Sequence, residues 1–235
     1  MAELVWDKQG EHFYETGLDR GVLFVFDKTN NTYKKGVAWN GLTSVEESPS
    51  GAESNKFYAD NRVYLNLTSA EEYGATINAY TFPKEFNSCN GYQEIAPGVV
   101  AGQQGRDMFA FSYRTKKGSD TNEDLGYIIH IVYAAKAAPS SKSHSTVNDS
   151  PEPIELSWEI TTTPIDFPGY KPVASIDIDT TETDPDKLAT FMAKLYGSEN
   201  SESTLVMPNE MAGLLGTVSA AAGGGTVTGG GTNLG

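Results

Sequence analysis

Three histidines, one cysteine and a short acidic run are the residues whose types could carry chemistry in this chain: His12, His130, His144, Cys89 and Asp177 to Asp186. His130 stands inside Tyr127 to Tyr133 (YIIHIVY), which predicts a packed strand residue rather than a general base. His144 lies in a Ser-rich stretch, but no acid or nucleophile at triad-like spacing supports hydrolysis there. There is no Gly-x-Ser-x-Gly elbow. Gly98 to Gly105 (GVVAGQQG) resembles a phosphate loop but lacks the Lys-Ser/Thr that would hold the phosphates and their metal. Cys89, in Asn87 to Gly91, reads as a small turn or partly buried residue. The acidic run fails as a calcium loop: counted from Asp177, the glycine position holds Glu182 and the closing glutamate position holds Leu188. It reads better as a solvated strand end leading into a helix cap. No catalytic residue, metal site or cofactor is therefore predicted.

Composition narrows the classes further. Acids outnumber bases 31 to 17, for a net charge of −14. Gripping nucleic acid needs a Lys/Arg surface that displaces counterions, so a nucleic-acid binder is excluded, though not a protein past which DNA travels. Three Trp, twelve Tyr and ten Phe within 38% hydrophobic residues suffice for a sizeable core. A single cysteine excludes an internal disulfide and a cysteine-based metal site. The start shows no basic-then-apolar signal and no run of about 18 apolar residues exists, so a protein of the cytoplasm, or assembled there, is expected. Without a secretion signal, the glycosylation triplets at Asn30, Asn66 and Asn148 are chance.

The elements that must position these residues are mostly strands. Gly21 to Asp27 is a β-branched and aromatic run. Arg62 to Leu67 sets Val63, Leu65 and Leu67 on one face, predicted to lie in the core. Met108 to Arg114 alternates Phe109, Phe111 and Tyr113 with small or polar residues. YIIHIVY is apolar on both faces, as a central strand would be. Ile154 to Ile160 alternates strictly, and Val173 to Asp179 ends with Ile176 and Ile178 against Ser175, Asp177 and Asp179, putting Glu155, Glu159, Asp177 and Asp179 outside the core. Lys35 to Glu46 and Ala75 to Phe82 are further candidates. Eight short strands with Gly, Pro and Asn between them predict an all-β, mainly antiparallel sandwich or barrel. One amphipathic helix is predicted over 184–196: Asp184 caps it, Pro185 suits its first position, Gly197 stops it, and Leu188, Phe191, Met192, Leu195 and Tyr196 share a face. A short turn is predicted from Pro83, anchored by Phe82 and Phe86.

Residues 44–60, 116–125 and 139–153 read as long loops, more than a self-sufficient domain needs and suited to neighbours in an oligomer. The N-terminal arm 1–17 carries Val5, Trp6, Phe13 and Tyr14, large anchors of the kind favoured at interfaces. The domain is therefore predicted to span 1–202, followed by a Gly-rich tail over 203–235 with nine glycines and a single charge, Glu210. Removing 44–60 is expected to leave a folded monomer that no longer stacks. Truncation at Gly197 is expected to have at most a modest effect.

Several of these stretches resemble one family. Trp6 to Gly17 (WDKQGEHFYETG), Asp19 to Leu23, Gly36 to Thr43 (GVAWNGLT), Glu47 to Glu53 (ESPSGAE), Tyr58 to Asn61 and Ser69 to Thr76 (SAEEYGAT) look like major tail tube proteins of tailed phages and prophages of Gram-positive bacteria. Ala79 to Pro83, Ala96 to Gly98, Tyr113 to Thr115, Asn148 to Pro151 and Ser157 to Glu159 fit it too. The resemblance covers residues 1–197. It implies a β-sandwich or barrel with a flanking helix, in homohexameric rings that stack into a hollow tube around a tape-measure protein. Tail-terminator or tail-tip proteins are further implied partners, DNA is a non-specific cargo, and no membrane is involved. The virion tail, assembled in the bacterial cytoplasm, is the implied location. Inter-subunit contacts are then expected at Trp6, Phe13, Tyr14, Glu46, Glu47, Phe57 and Tyr58, and Glu155, Glu159, Asp177 and Asp179 are expected on the lumen or the outer wall. The rival reading from composition is a secreted β-sandwich module that binds carbohydrate.

Overall fold

The computed structural model describes residues 4–146, 149 and 152–216. The repeated glycine triplets of the tail and much of the Asn148 to Pro151 motif lie outside the described residues. In chain order the strands are β1 (Phe13–Asp27), β2 (Thr32–Tyr33), β3 (Val37–Trp39), β4 (Leu42–Glu47), β5 (Ser50–Gly51), β6 (Ser54–Ala59), β7 (Arg62–Thr68) and β8 (Glu71–Glu72). They continue as β9 (Gly74–Ala79), β10 (Gln93–Ala96), β11 (Val99–Ala101), β12 (Phe109–Ser119), β13 (Gly126–Ala137), β14 (Leu156–Thr162) and β15 (Ser175–Asp179). Two helices follow, α1 (Pro185–Tyr196) and α2 (Pro208–Leu215). No helix among the described residues is long and apolar enough to cross a membrane.

The fold is all-β and antiparallel with α1 near its C-terminal end, as the periodicities predicted, whereas α2 falls in the stretch expected to be tail. The nine-stranded sheet runs β2-β1-β12-β13-β14-β9-β4, with β15 also on β13 and β3 also on β1. It curls but stays open, so the barrel alternative does not form. β13 is forked: Ile128 to Val132 pair with β15, and Ala135 to Ala137 pair with β14. The fork falls at a bulge against β12, where Ala134 takes a left-handed φ of 47°. An extra residue bends a strand and sharpens its twist, which lets one strand serve two partners.

Both faces of the central strands are covered. Toward one side, Leu23, Phe109, Phe111, Val132 and Ala135 join Trp39, Phe86 and Trp158 in an aromatic core. Trp39 packs 4.6 Å from Phe86 and 5.6 Å from Trp158, in tilted and edge-on arrangements that suit ring quadrupoles. Toward the other side, Val22, Phe24, Ala110, Ile129, Ile131 and Tyr133 meet Phe191 and Leu195 of α1 and Met211 of α2. This is why YIIHIVY and the β1 run show no polar face. Gly21 permits the close approach of β1 to the β3–β4 corner, since a Cβ there would lie 2.4 Å from Leu42 Cδ1. α1 starts as predicted, with the Asp184 carboxylate accepting from the Asp186 and Lys187 amides.

Four expectations need correction. Residues 44–60 are not a loop: they form most of β4, then β5 and β6, and their partners β7, β8 and β9 complete one long bulged hairpin over 42–79. Residues 116–119 extend β12 rather than open a loop. β7 forms where predicted, yet Val63, Leu65 and Leu67 are exposed. The chain beyond Gly197 returns to the body. Ser203 O accepts from the Gly36 amide, Val206 O accepts from the Tyr133 hydroxyl, and Leu205, Val206 and Met211 are buried. Glycine content masked that short apolar segment.

Candidate functional site

The arm over 49–72 is the part of the described molecule that its own fold does not use; Tyr73 at its root already packs against the aromatic core. The arm leaves the sheet where the Ser48 amide donates to Gly74 O, and turns at Asp60 and Asn61, which hold φ of 51° and 59°. Two successive left-handed residues match the right-handed twist of a two-residue hairpin turn. The register pairs Asn55 with Leu67 and Phe57 with Leu65, and it pairs Ser54 with Thr68 and Lys56 with Asn66. Directly opposed residues share a face, so Phe57, Leu65 and Leu67 form an apolar face backed by a polar one. On the polar face Ser54 Oγ donates to Asn66 Oδ1 at 2.6 Å. Every residue of β6 and β7 is exposed, and Phe57 and Leu67 keep about half of their surface in water (52% and 51%). An isolated two-stranded hairpin is marginal in water, and a contiguous exposed apolar patch marks an interaction site.

The expected contact residues fall in two places. Phe57 and Tyr58 lie on the arm, and Glu46 and Glu47 lie at its root. Glu47 accepts from the hydroxyls of Tyr73 and Tyr113 at 3.1 and 3.0 Å. Burial is the main cause that raises both tyrosines' pKa, and the neighbouring Glu47 adds to it. Trp6, Phe13 and Tyr14 belong to the N-terminal stretch, which rests on the turn after β12 through a Gly10 amide bonded to Asp120 Oδ1 at 3.0 Å. Trp6, Phe13 and Tyr14 stay exposed. Near the start of β1, Asp19 pairs with the buried Arg114, whose guanidinium also stacks 3.7 Å from the Tyr127 ring centroid. The Arg114 hydrogen bond holds the Asp19 carboxyl below its usual range, against a smaller burial effect. In the large sheet, β15, the outer side of β4 and the first half of β1 each present an edge with no strand partner among the described residues. An open edge is a template for pairing with another chain.

The four acids expected on a wall do leave the aromatic core, but not toward one side. Glu159 lies on the polar outer face of the β4-β9-β14 ribbon, in a row with Thr76 and Glu46. Glu155, just ahead of β14, accepts from the Thr43 hydroxyl. Asp177 and Asp179 sit across the sheet on β15, where they meet His130 and Lys117. Burial would raise the Asp179 pKa, and the Lys117 and Thr181 hydrogen bonds outweigh it, so the net shift is downward. Cys89 is fully buried, with its thiol pushed up to about 12 by that burial, so it offers no thiolate at neutral pH.

One constellation had no signal in the sequence. His130 Nδ1 lies 2.8 Å from Asp177 Oδ1 and its Nε2 lies 3.0 Å from Thr115 Oγ1. An Asp-His-Thr order suggests a nucleophile relay. However, the Thr115 hydroxyl has a single proton, and Glu15 Oε2 at 2.8 Å competes with the imidazole for it. A general base needs that proton held toward its own nitrogen. With Tyr113 stacked 4.6 Å from the imidazole, the group reads as a packed polar network.

No family model matches the chain, and no curated protein matches it. Among solved structures it is loosely similar to a chain of the sheath–tube complex of PVC, an extracellular contractile injection system, in its extended state. The identity is 12% and the TM-score 0.34, over 75% of this chain and 95% of that one.

Proposed function

We propose that this chain is a structural subunit of a phage tail tube, without catalytic activity, that forms hexameric rings stacked into a hollow conduit for DNA. The observation that carries this reading is the arm: a hairpin with an unburied apolar face, projecting from a body whose own cores are complete. Such an element lowers free energy by lying on another copy, where its apolar area leaves water at about 25 cal/mol per Å². The open edges of β1, β4 and β15 support it, since pairing between copies removes exposed strand edges. The sequence resemblance over residues 1–197 points the same way. A conduit should let DNA slide, and acids on a water-filled lumen repel phosphate within a Debye length of about 8 Å. Glu155 and Glu159, on the outer ribbon face, are the acids proposed for a wall of the tube. Tape-measure and terminator or tip proteins complete the proposed assembly.

Negative-stain microscopy of the purified chain at high concentration tests the reading, and rings or tubes are expected. Persistent monomers, even with partner tail proteins added, would overturn it. Because residues 44–47 belong to the sheet and Tyr73 packs on the core, the informative deletion is 49–72 replaced by an Asn-Gly turn, not 44–60. That variant should keep the strand signal in circular dichroism and fail to stack.

A further inference from the structure

A recess of about 610 Å³ opens between the β10–β11 hairpin, the start of β14 and the chain just after β13. Its lining includes Arg106 and Lys142 together with Asn87, Asn90 and Gln103, and it holds no carboxylate. In a chain of net charge −14 that is an anomaly. Four other clefts on the described surface each carry at least one Asp or Glu. Arg106 is fixed by backbone rather than by an acid: its Nη1 donates to the carbonyls of Ala137 and Ala138 at 3.0 and 3.3 Å. The guanidinium keeps further donors that those two bonds do not use. Gly91, at φ +76°, leaves room for it, since a Cβ there would sit 3.3 Å from Nε. Neither Arg106 nor Lys142 has an acidic partner among the described residues.

The complementary feature is the root of the arm. Glu53, Glu71 and Glu72 are exposed there, with no basic partner among the described residues. The root and the recess stand at opposite ends of the β9–β14 pair. Gly74 opposes Thr161 at the arm end, and Ala79 opposes Leu156 at the recess end. Five residue steps along β9 separate them, roughly 17 Å at 3.3–3.4 Å per residue. They cannot meet within one copy, but a second copy displaced along the strands brings them together. A protrusion at one end that fits a recess at the other makes a heterologous contact, which propagates head to tail.

We infer that the Arg106–Lys142 recess receives the acidic arm root of a second copy. This rests on the tube reading and names where one copy's arm docks on the next. Guanidinium–carboxylate pairing supplies the charge-assisted, directional part of the contact. The contact should weaken as salt rises, since its charges lie at a water-filled rim.

The test uses two charge-reversed full chains. One carries Arg106→Glu and Lys142→Glu, and the other carries Glu53→Lys, Glu71→Lys and Glu72→Lys. Self-association is followed by sedimentation at low salt. Each variant alone should lose at least about tenfold in association constant, because like charges then face each other. A one-to-one mixture should restore association, since each reversed arm finds a reversed recess. If Arg106→Glu disturbs the backbone it holds, as circular dichroism would reveal, Lys142→Glu with Gln103→Glu replaces it. Wild-type-like assembly of the recess variant, or a mixture that stays dissociated, overturns the docking site while leaving the tube reading intact. A wild-type chain that remains monomeric overturns both.

Discussion

The central sheet and the arm are built from the same kinds of residue and end in opposite environments. Tyr127 to Tyr133 and Arg62 to Leu67 both form antiparallel strands rich in Val, Ile, Leu and Tyr. Ile129, Ile131 and Val132 are buried to within 1% exposure, while Leu65 and Leu67 remain about half exposed (45% and 51%). The difference lies in what covers each strand. β13 has α1 on one side and the Trp39–Trp158 core on the other. The arm has only its own partner strand. Alternation therefore specifies a strand and its faces, but not whether the covering layer belongs to the same chain.

The comparison predicts a graded set of effects. The largest should come from truncation after Gly197. It removes Leu205, Val206 and Met211 from the helix-side core, at about 1.5–3 kcal/mol per buried side chain. Chemical denaturation should show a loss of about 5 kcal/mol or an unfolded chain, in place of the modest effect that glycine content suggests. Next, Trp158→Ala should cost about 3–5 kcal/mol by opening a cavity in the aromatic core, read as a lower urea midpoint. A smaller loss, about 2 kcal/mol, is expected for Asp19→Asn, which strips a charged hydrogen bond from the buried Arg114. That pair also has a pH signature. The Asp19 carboxyl is held below its unfolded value, so the unfolded chain takes up the proton first as pH falls. Stability from the pair is present above the unfolded carboxylate value near 4 and is lost as pH drops through the lower folded value. Asp19→Asn should flatten stability against pH in that acid window and leave the neutral region parallel to wild type.

The smallest effect on the monomer should come from Leu65→Ser with Leu67→Ser. Denaturation should move by no more than about 0.5 kcal/mol, as for other exposed sites. The same variant should abolish stacking under the microscope. A large loss of monomer stability would mean that the arm's apolar face is covered within the chain. Unchanged stacking would mean that the arm does not carry the contact.

Much of this was legible from periodicity. β12, β13, β14 and α1 fall where alternation and capping put them, because each has a core on at least one face. The arm was not. Asp60 and Asn61 between two β-rich runs are a hairpin signal, yet Ser, Pro and Glu upstream of them resemble loop composition. The Arg106–Lys142 recess and the Thr115–His130–Asp177 network had no signal, because they join residues that meet only across strands.

By itself the sequence determined the element types, the alternating faces, the helix cap at Asp184 and the acidic balance, all of which are local or additive properties. Only the tertiary structure decided that Leu205 and Val206 belong to the body, that Leu65 and Leu67 do not, and that one basic recess stands at the opposite end of the β9–β14 ribbon from an acidic arm. Those outcomes depend on which surfaces the register brings together, and register is a relation between distant segments that no single stretch of chain encodes.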